Sequence, residues 1–280
     1  MMVTRGMRSA LHRKVSTPSS TTFSTMEASP ANTNGGVRIL ARCRLSGEAT
    51  VNARLRYRDM HTKNRTTAVV TATAILCCIV PMIGIALRDS TIAMARETSV
   101  LLTLAAWPEY LQDCSMVLAY LFSTIGCIVL VAILAAIDLR ITVSRRTVFR
   151  DVVVSAAPIV YVTGVKWLVE RPRPITAIGS GLLPGDPSFP SGHTAAAVIV
   201  SVMMILTVRN LARKRFPDGE TSQRRVLLRR TVLGAVALVF AVACSRLLLG
   251  LHYPTDVMVS ATICPLISYA VWCVWQLNAR

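Results

Sequence analysis

The sequence predicts an all-α integral membrane protein, a bundle of six transmembrane helices behind a disordered basic N-terminal tail. Three observations predict it. Of 280 residues 53% are hydrophobic, with a mean hydropathy of +0.52. The apolar residues collect in runs of about 20, long enough to cross a bilayer and longer than a buried core helix needs. The net charge of +17 gathers in the first 66 residues and in two loops between apolar runs. A basic balance in a soluble chain points to nucleic acid. Basic loops that adjoin hydrophobic spans point instead to membrane topology, and no nucleic-acid partner is expected.

Two domains are expected, 1–66 and 67–280. Residues 1–66 hold twelve Lys/Arg against three acids, with abundant Ser, Thr, Gly and Asn and no sustained apolar run. That composition disfavours a packed core and favours disorder. It lacks the apolar segment of a secretory signal, while its Arg and Ser content resembles an organelle transit peptide. An internal start at Met60, just before the first span, is a further alternative. A cytoplasmic disordered tail is the favoured reading.

The six spans are expected at about Thr67–Leu87, Ser115–Ile137, Phe149–Val169, His193–Val208, Thr231–Gly250 and Pro254–Trp275. Between the first two, Ser99–Trp107 is apolar but too short to cross, and Arg96-Glu97 blocks its extension, so it is expected at the interface. Six of the eight cysteines (Cys77, Cys78, Cys127, Cys244, Cys264 and Cys273) lie inside apolar runs without zinc-ligand spacing. They read as small core hydrophobes rather than metal ligands or disulfides.

Loop charge orients the bundle. The 140–150 loop carries Arg140, Arg145, Arg146 and Arg150, and the 209–230 loop carries eight Lys/Arg against Asp218 and Glu220. Both loops, the tail and the C-terminus are expected on the cytoplasmic side by the positive-inside rule. Loops 88–114, 170–192 and 251–253 then lie outside. Trp167, Trp272 and Trp275 near span ends fit an aromatic belt.

Three polar clusters fall at the outer ends of apolar segments. Lys166 closes the third span and Arg171-Pro172-Arg173-Pro174 follows it. Alone, Lys166 reads as a snorkelling side chain and the Arg-Pro pairs as loop punctuation. A loop rich in Gly and Pro leads to Pro190-Ser191-Gly192-His193. Ser191 is a plausible N-cap, and the free N–H groups behind it make an anion site. Arg246 lies within the apolar fifth span, where a charge is costly unless paired or functional. His252 sits in a very short loop, with Asp256 four residues on in a helix start marked by Pro254. Asp256 reads either as a dipole-complementing acid or as the acceptor of His252 Nδ1–H, which leaves Nε2 free as a nucleophile.

Taken with their spacing, Lys166-x6-Arg173-Pro174, Pro190-Ser191-Gly192-His193 and Ser245-Arg246-x5-His252-x3-Asp256 closely resemble the three-part signature of the PAP2 (type 2 phosphatidic acid phosphatase) superfamily. The resemblance covers roughly residues 150–270, and its spacing selects Arg173 over Arg171. It implies a six-span fold and a lipid-phosphate phosphatase working without metal or other cofactor. It implies His252 as nucleophile, Asp256 as its orienting partner and His193 as general acid and then base. Lys166, Arg173, Ser191, Gly192 and Arg246 would hold the phosphoryl oxygens.

The expected substrate is a lipid phosphomonoester or diphosphate, such as undecaprenyl diphosphate, phosphatidic acid or phosphatidylglycerophosphate, met at the outer membrane surface. A phosphotransferase using the same site is an alternative. So is a non-catalytic membrane protein or transporter. A vanadate haloperoxidase shares the signature and ranks lower, because those enzymes are soluble.

Overall fold

The computed structural model describes residues 33–174, 185–217 and 221–278, with side chains described for Met60 and from Thr62 onward. The chain divides into two units, Met1–Tyr57 and Arg58–Arg280. Of the tail expected to be disordered, residues 1–32 lie outside the described residues. Eight helices occur among the described residues, and no strand: α1 Thr33–Asp89, α2 Thr91–Ala105, α3 Glu109–Leu121, α4 Thr124–Thr142, α5 Arg145–Val169, α6 Gly192–Arg215, α7 Thr221–Leu248 and α8 Pro254–Asn278. Six of them are long and apolar enough to cross a membrane: α1 over Thr62–Asp89, and all of α4 to α8. The all-α, six-span expectation holds.

Local chemistry sets the boundaries. Ser90, Ser123, Ser144 and Ser191 each precede a helix and accept the backbone N–H three residues on, which satisfies one of the free donors of the first turn. The Ser123 cap corrects the expected second span. Hydropathy runs on from Ser115 to Ile137, but the helix breaks at Phe122-Ser123 and the crossing segment is Thr124–Thr142. The apolar stretch expected at the interface belongs to α2, which packs on α7 and buries Leu101.

The centre of the bundle is α6, in contact with α4, α5, α7 and α8. Ala195, Ala196 and Ala197 let its neighbours approach closely, and all three are buried. One apolar core joins α6 to Val162, Val165 and Val169 of α5, Ile263 and Cys264 of α8, and Val80 of α1. Outward-facing Ile125, Val160 and Phe240 remain 69–77% exposed, as expected of a surface solvated by lipid.

Buried polar groups gather at both ends of α6. At its C-terminal end the Asn210 amide donates to Asp138 Oδ1 of α4 at 2.9 Å and to Asp151 Oδ2 of α5 at 2.8 Å. Arg150 also pairs with Asp151, at 2.7 Å. Three helices are thus pinned through one amide. The N-terminal end of α6 carries the three signature clusters.

Candidate active site

All the expected residues but Arg173, which lies in the segment after α5, sit at or beside a helix terminus. Lys166 lies in the last turn of α5, which ends with Glu170 in the left-handed region (φ 51°). Gly192 and His193 open α6 behind the Ser191 cap. Arg246 lies in the last turn of α7. That helix closes in a Schellman motif: Gly250 takes φ 64°, its N–H reaches Leu247 O, and Leu251 N–H reaches Arg246 O. Glycine suits this position because a Cβ disfavours positive φ. The tight closure leaves His252 on a short connection directly before α8, with Asp256 in the first turn beyond it.

All eight expected residues meet at this end of the bundle. Ser191 N–H donates to Asp256 O at 3.1 Å, tying the second cluster to the third. Arg173 Nη1 donates to Leu251 O at 2.8 Å and stands 3.2 Å from His252 Nε2, tying the first to the third. Arginine can only donate, so Nε2 faces it with a lone pair and the ring proton sits on Nδ1. His252 Nδ1 is 3.4 Å from Asp256 Oδ2, an ion-pair distance without hydrogen-bond alignment. Asp256 Oδ2 also accepts Tyr253 N–H at 2.9 Å. Burial is the largest influence on His252 and pushes its pKa down to about 4; Arg173 and Lys166 add to this, and Asp256 opposes it.

His193 has Arg246, His252, Arg173 and Lys166 as electrostatic neighbours. Arg246 is fully buried. Its guanidinium reaches Ser115 O at 3.0 Å and Ser245 Oγ at 3.2 Å, and Nη1 is buried without a hydrogen-bond partner among the described residues. A Cβ at Gly192 would stand 3.7 Å from Lys166 Cε, an ordinary contact. Packing within the fold therefore does not demand glycine at 192.

Three charged residues beyond the expected set complete the site. Arg171 is fully buried and pairs with Asp256 Oδ1 at 2.8 Å and Glu97 Oε2 at 2.5 Å. It also donates to Thr255 Oγ1 at 2.8 Å and lies 4.1 Å over the Tyr253 ring. Glu97, from α2, accepts Thr255 N–H at 3.0 Å and so caps α8 from a distant part of the chain. Asp186 pairs with Lys166 at 2.6 Å and Arg173 at 2.7 Å. Burial raises the Asp186 pKa, but the hydrogen bond and charge of Lys166, with the charge and hydrogen bond of Arg173, outweigh it and hold the carboxyl at about 2.

The two arginines of the tandem Arg-Pro repeat thus have different tasks, with Arg173 beside the His252 ring nitrogen and Arg171 behind Asp256. Asp186 carried a sequence signal, as the sole acid between Glu170 and Ser191. Glu97 carried none, because its partners lie 74 and 158 residues away.

The family model described as PAP2 superfamily matches residues 148–280, a segment that contains every one of these signature positions. The match covers residues 148–280, just under half of the chain. The fold agrees with a solved PAP2 protein. The crystal structure of a transmembrane PAP2 type phosphatidylglycerolphosphate phosphatase from Bacillus subtilis matches with a TM-score of 0.59 at 17% identity, over 74% of this chain and 96% of that one. No curated protein matches the sequence. With six apolar helices in a PAP2 fold, the chain is a multi-pass membrane protein. Glu97 lies outside the matched segment, so the PAP2 segment receives part of its support from a preceding helix.

Proposed function

We propose that this protein is a PAP2 lipid-phosphate phosphatase that hydrolyses a phosphomonoester or diphosphate of a lipid through a phosphohistidine. The observation that carries the reading is the His252 ring. Its Nε2 lone pair faces Arg173 at 3.2 Å, while Nδ1 faces Asp256 at 3.4 Å. A neutral imidazole so oriented is a nucleophile aimed at a cationic anion site.

In the first step Nε2 of His252 attacks phosphorus and the P–O bond to the lipid breaks. His193 gives its proton to the departing oxygen. In the second step a water attacks phosphorus, His193 takes its proton, and the P–N bond breaks to release inorganic phosphate. Asp256 offsets the positive charge that His252 gains. Lys166, Arg173, Arg246 and the N–H groups at the start of α6 stabilise the equatorial oxygens, the role that cations fill in phosphoryl transfer. Bare backbone at Gly192 lets phosphate approach those N–H groups. The bound ester dianion supplies the negative charge that favours protonated His193 before the first step.

Trp167 and Leu168, next to Lys166 in the chain, are exposed apolar side chains, which suits a substrate whose tail stays in the bilayer. Loop charge supports an extracytoplasmic position for this end of the bundle. Undecaprenyl diphosphate, phosphatidic acid and phosphatidylglycerophosphate are the substrates to compare. Phosphate release by purified protein across this panel tests the proposal. His252→Ala should lower turnover roughly 10⁴-fold while the protein stays inserted and folded. EDTA should leave turnover intact. Unchanged release from His252→Ala would overturn the mechanism.

A further inference from the structure

Lys166 and Arg173 are assigned to substrate phosphate, yet both are already engaged by one carboxylate. Asp186 presents one oxygen to each: Oδ2 to Lys166 Nζ at 2.6 Å and Oδ1 to Arg173 Nη2 at 2.7 Å. Two oxygens of one anion spanning an ammonium and a guanidinium is the arrangement that a phosphoryl group would make there. We propose that Asp186 is a built-in stand-in for phosphate, a carboxylate that the substrate must displace from Lys166 and Arg173 and that returns as product leaves. The inference rests on the phosphatase reading.

The alternative role for Asp186 is a fixed clamp that orients the two cations. The surrounding geometry argues against it, because backbone carbonyls already position both. Lys166 Nζ donates to Pro187 O at 2.6 Å; Arg173 donates to Asp186 O at 3.0 Å and to Leu251 O at 2.8 Å. These contacts survive rotation of the Asp186 side chain. That side chain is 41% exposed, on a loop, and can turn into water. Asp256, in contrast, is fully buried and held by Arg171.

Charge balance gives the exchange a purpose. Lys166, Arg173 and Arg246 form a cationic site that would bind inorganic phosphate, the product, as well as the substrate ester. A resident carboxylate lowers the apparent affinity for both by the fraction of time it occupies the cations. It thereby shortens product residence, while the apolar tail gives the substrate a binding contribution that free phosphate lacks.

Dissociation constants for orthovanadate and inorganic phosphate, measured by calorimetry on full-length protein in detergent, test the proposal. Asp186→Asn and Asp186→Ala should both bind these anions about tenfold more tightly than wild type, the factor carried by one charge-assisted hydrogen bond. Product inhibition should deepen in parallel. Weaker or unchanged anion binding in the variants would overturn the stand-in role in favour of the clamp. Wild-type protein that binds neither anion, or Lys166→Ala that binds them as wild type does, would overturn the phosphatase reading itself. Should the Asp186 variants not fold, wild-type protein gives its own readout. Infrared difference spectra on addition of phosphate should show an ion-paired carboxylate becoming water-solvated, and no carboxylate change would overturn the exchange.

Discussion

Arg171 and Asp256 form a buried ion pair at 2.8 Å, with neither side chain exposed. Asp256 is thereby held on the side away from His252, and its orientation depends on a residue that the sequence signature passes over. Glu97 completes the arrangement by pairing with Arg171 and capping α8. Arg171→Ala should destabilise the protein by about 3–5 kcal/mol, since it leaves a buried carboxylate without its partner. Arg171→Lys keeps the charge but loses the planar fork that reaches Glu97, Asp256 and Thr255 together. It should fold, with kcat lowered about 10²-fold and KM little changed, the signature of a misplaced catalytic group. Glu97→Gln, which still accepts from Thr255, should show a smaller loss in the same assay.

The pH dependence follows from His252. In the proposed mechanism its neutral form is the nucleophile, and burial holds its pKa at about 4 against an ordinary 6.5. As pH falls through about 4 the ring protonates and attack is lost. The acid limb of kcat/KM, with the ionisation of the substrate phosphate measured separately, should therefore fall nearer 4 than 6.5. Stability follows the same sign. Between 4 and 6.5 the unfolded chain binds the proton that the folded ring refuses, so stability is full above 6.5 and declines as pH falls toward 4. His252→Ala should flatten the decline in thermal unfolding over that window.

A single glycine of α1 lets the site loop pack. A Cβ at Gly84 would meet the Phe189 ring at 2.6 Å and Val169 Cγ2 at 2.9 Å, and both residues are fully buried. Phe189 immediately precedes Pro190-Ser191, so its displacement moves the N-terminus of α6. Gly84→Ala should cost about 1–3 kcal/mol by overpacking. Thermal unfolding in detergent, together with kcat on the folded fraction, checks both effects; both should fall.

Asn210 gives the opposite separation. It lies about 27 Å along α6 from Gly192 at 1.5 Å per residue. Asn210→Ala removes the amide shared by Asp138 and Asp151, leaving Asp138 without its partner and Asp151 with Arg150 alone. Stability should drop by about 3 kcal/mol. Specific activity of the folded fraction should hold, as measured by lipid-phosphate turnover after removal of aggregate.

Much of this was legible in the sequence because it is local. Apolar run length determined the spans, since a bilayer sets one length for all of them. Ser191 was legible as a cap because its acceptor and the N–H it serves lie three residues apart. The spacing of the family signature that the chain resembles singled out Arg173 rather than Arg171. The second span was misplaced because hydropathy is continuous across Phe122-Ser123, where one serine hydroxyl decides the helix start.

What only the tertiary structure decided is how the charges are shared. Arg171 between Glu97 and Asp256, and Asp186 between Lys166 and Arg173, are contacts across 13 to 85 residues. No periodicity encodes such distances. Burial then makes each pairing consequential, because a charge out of water must find a partner wherever packing places one. The sequence by itself pointed to eight of the residues that meet at this end of the bundle; packing of α2, α5, α6 and α8 brought Arg171, Glu97 and Asp186 to them and decided which face one another.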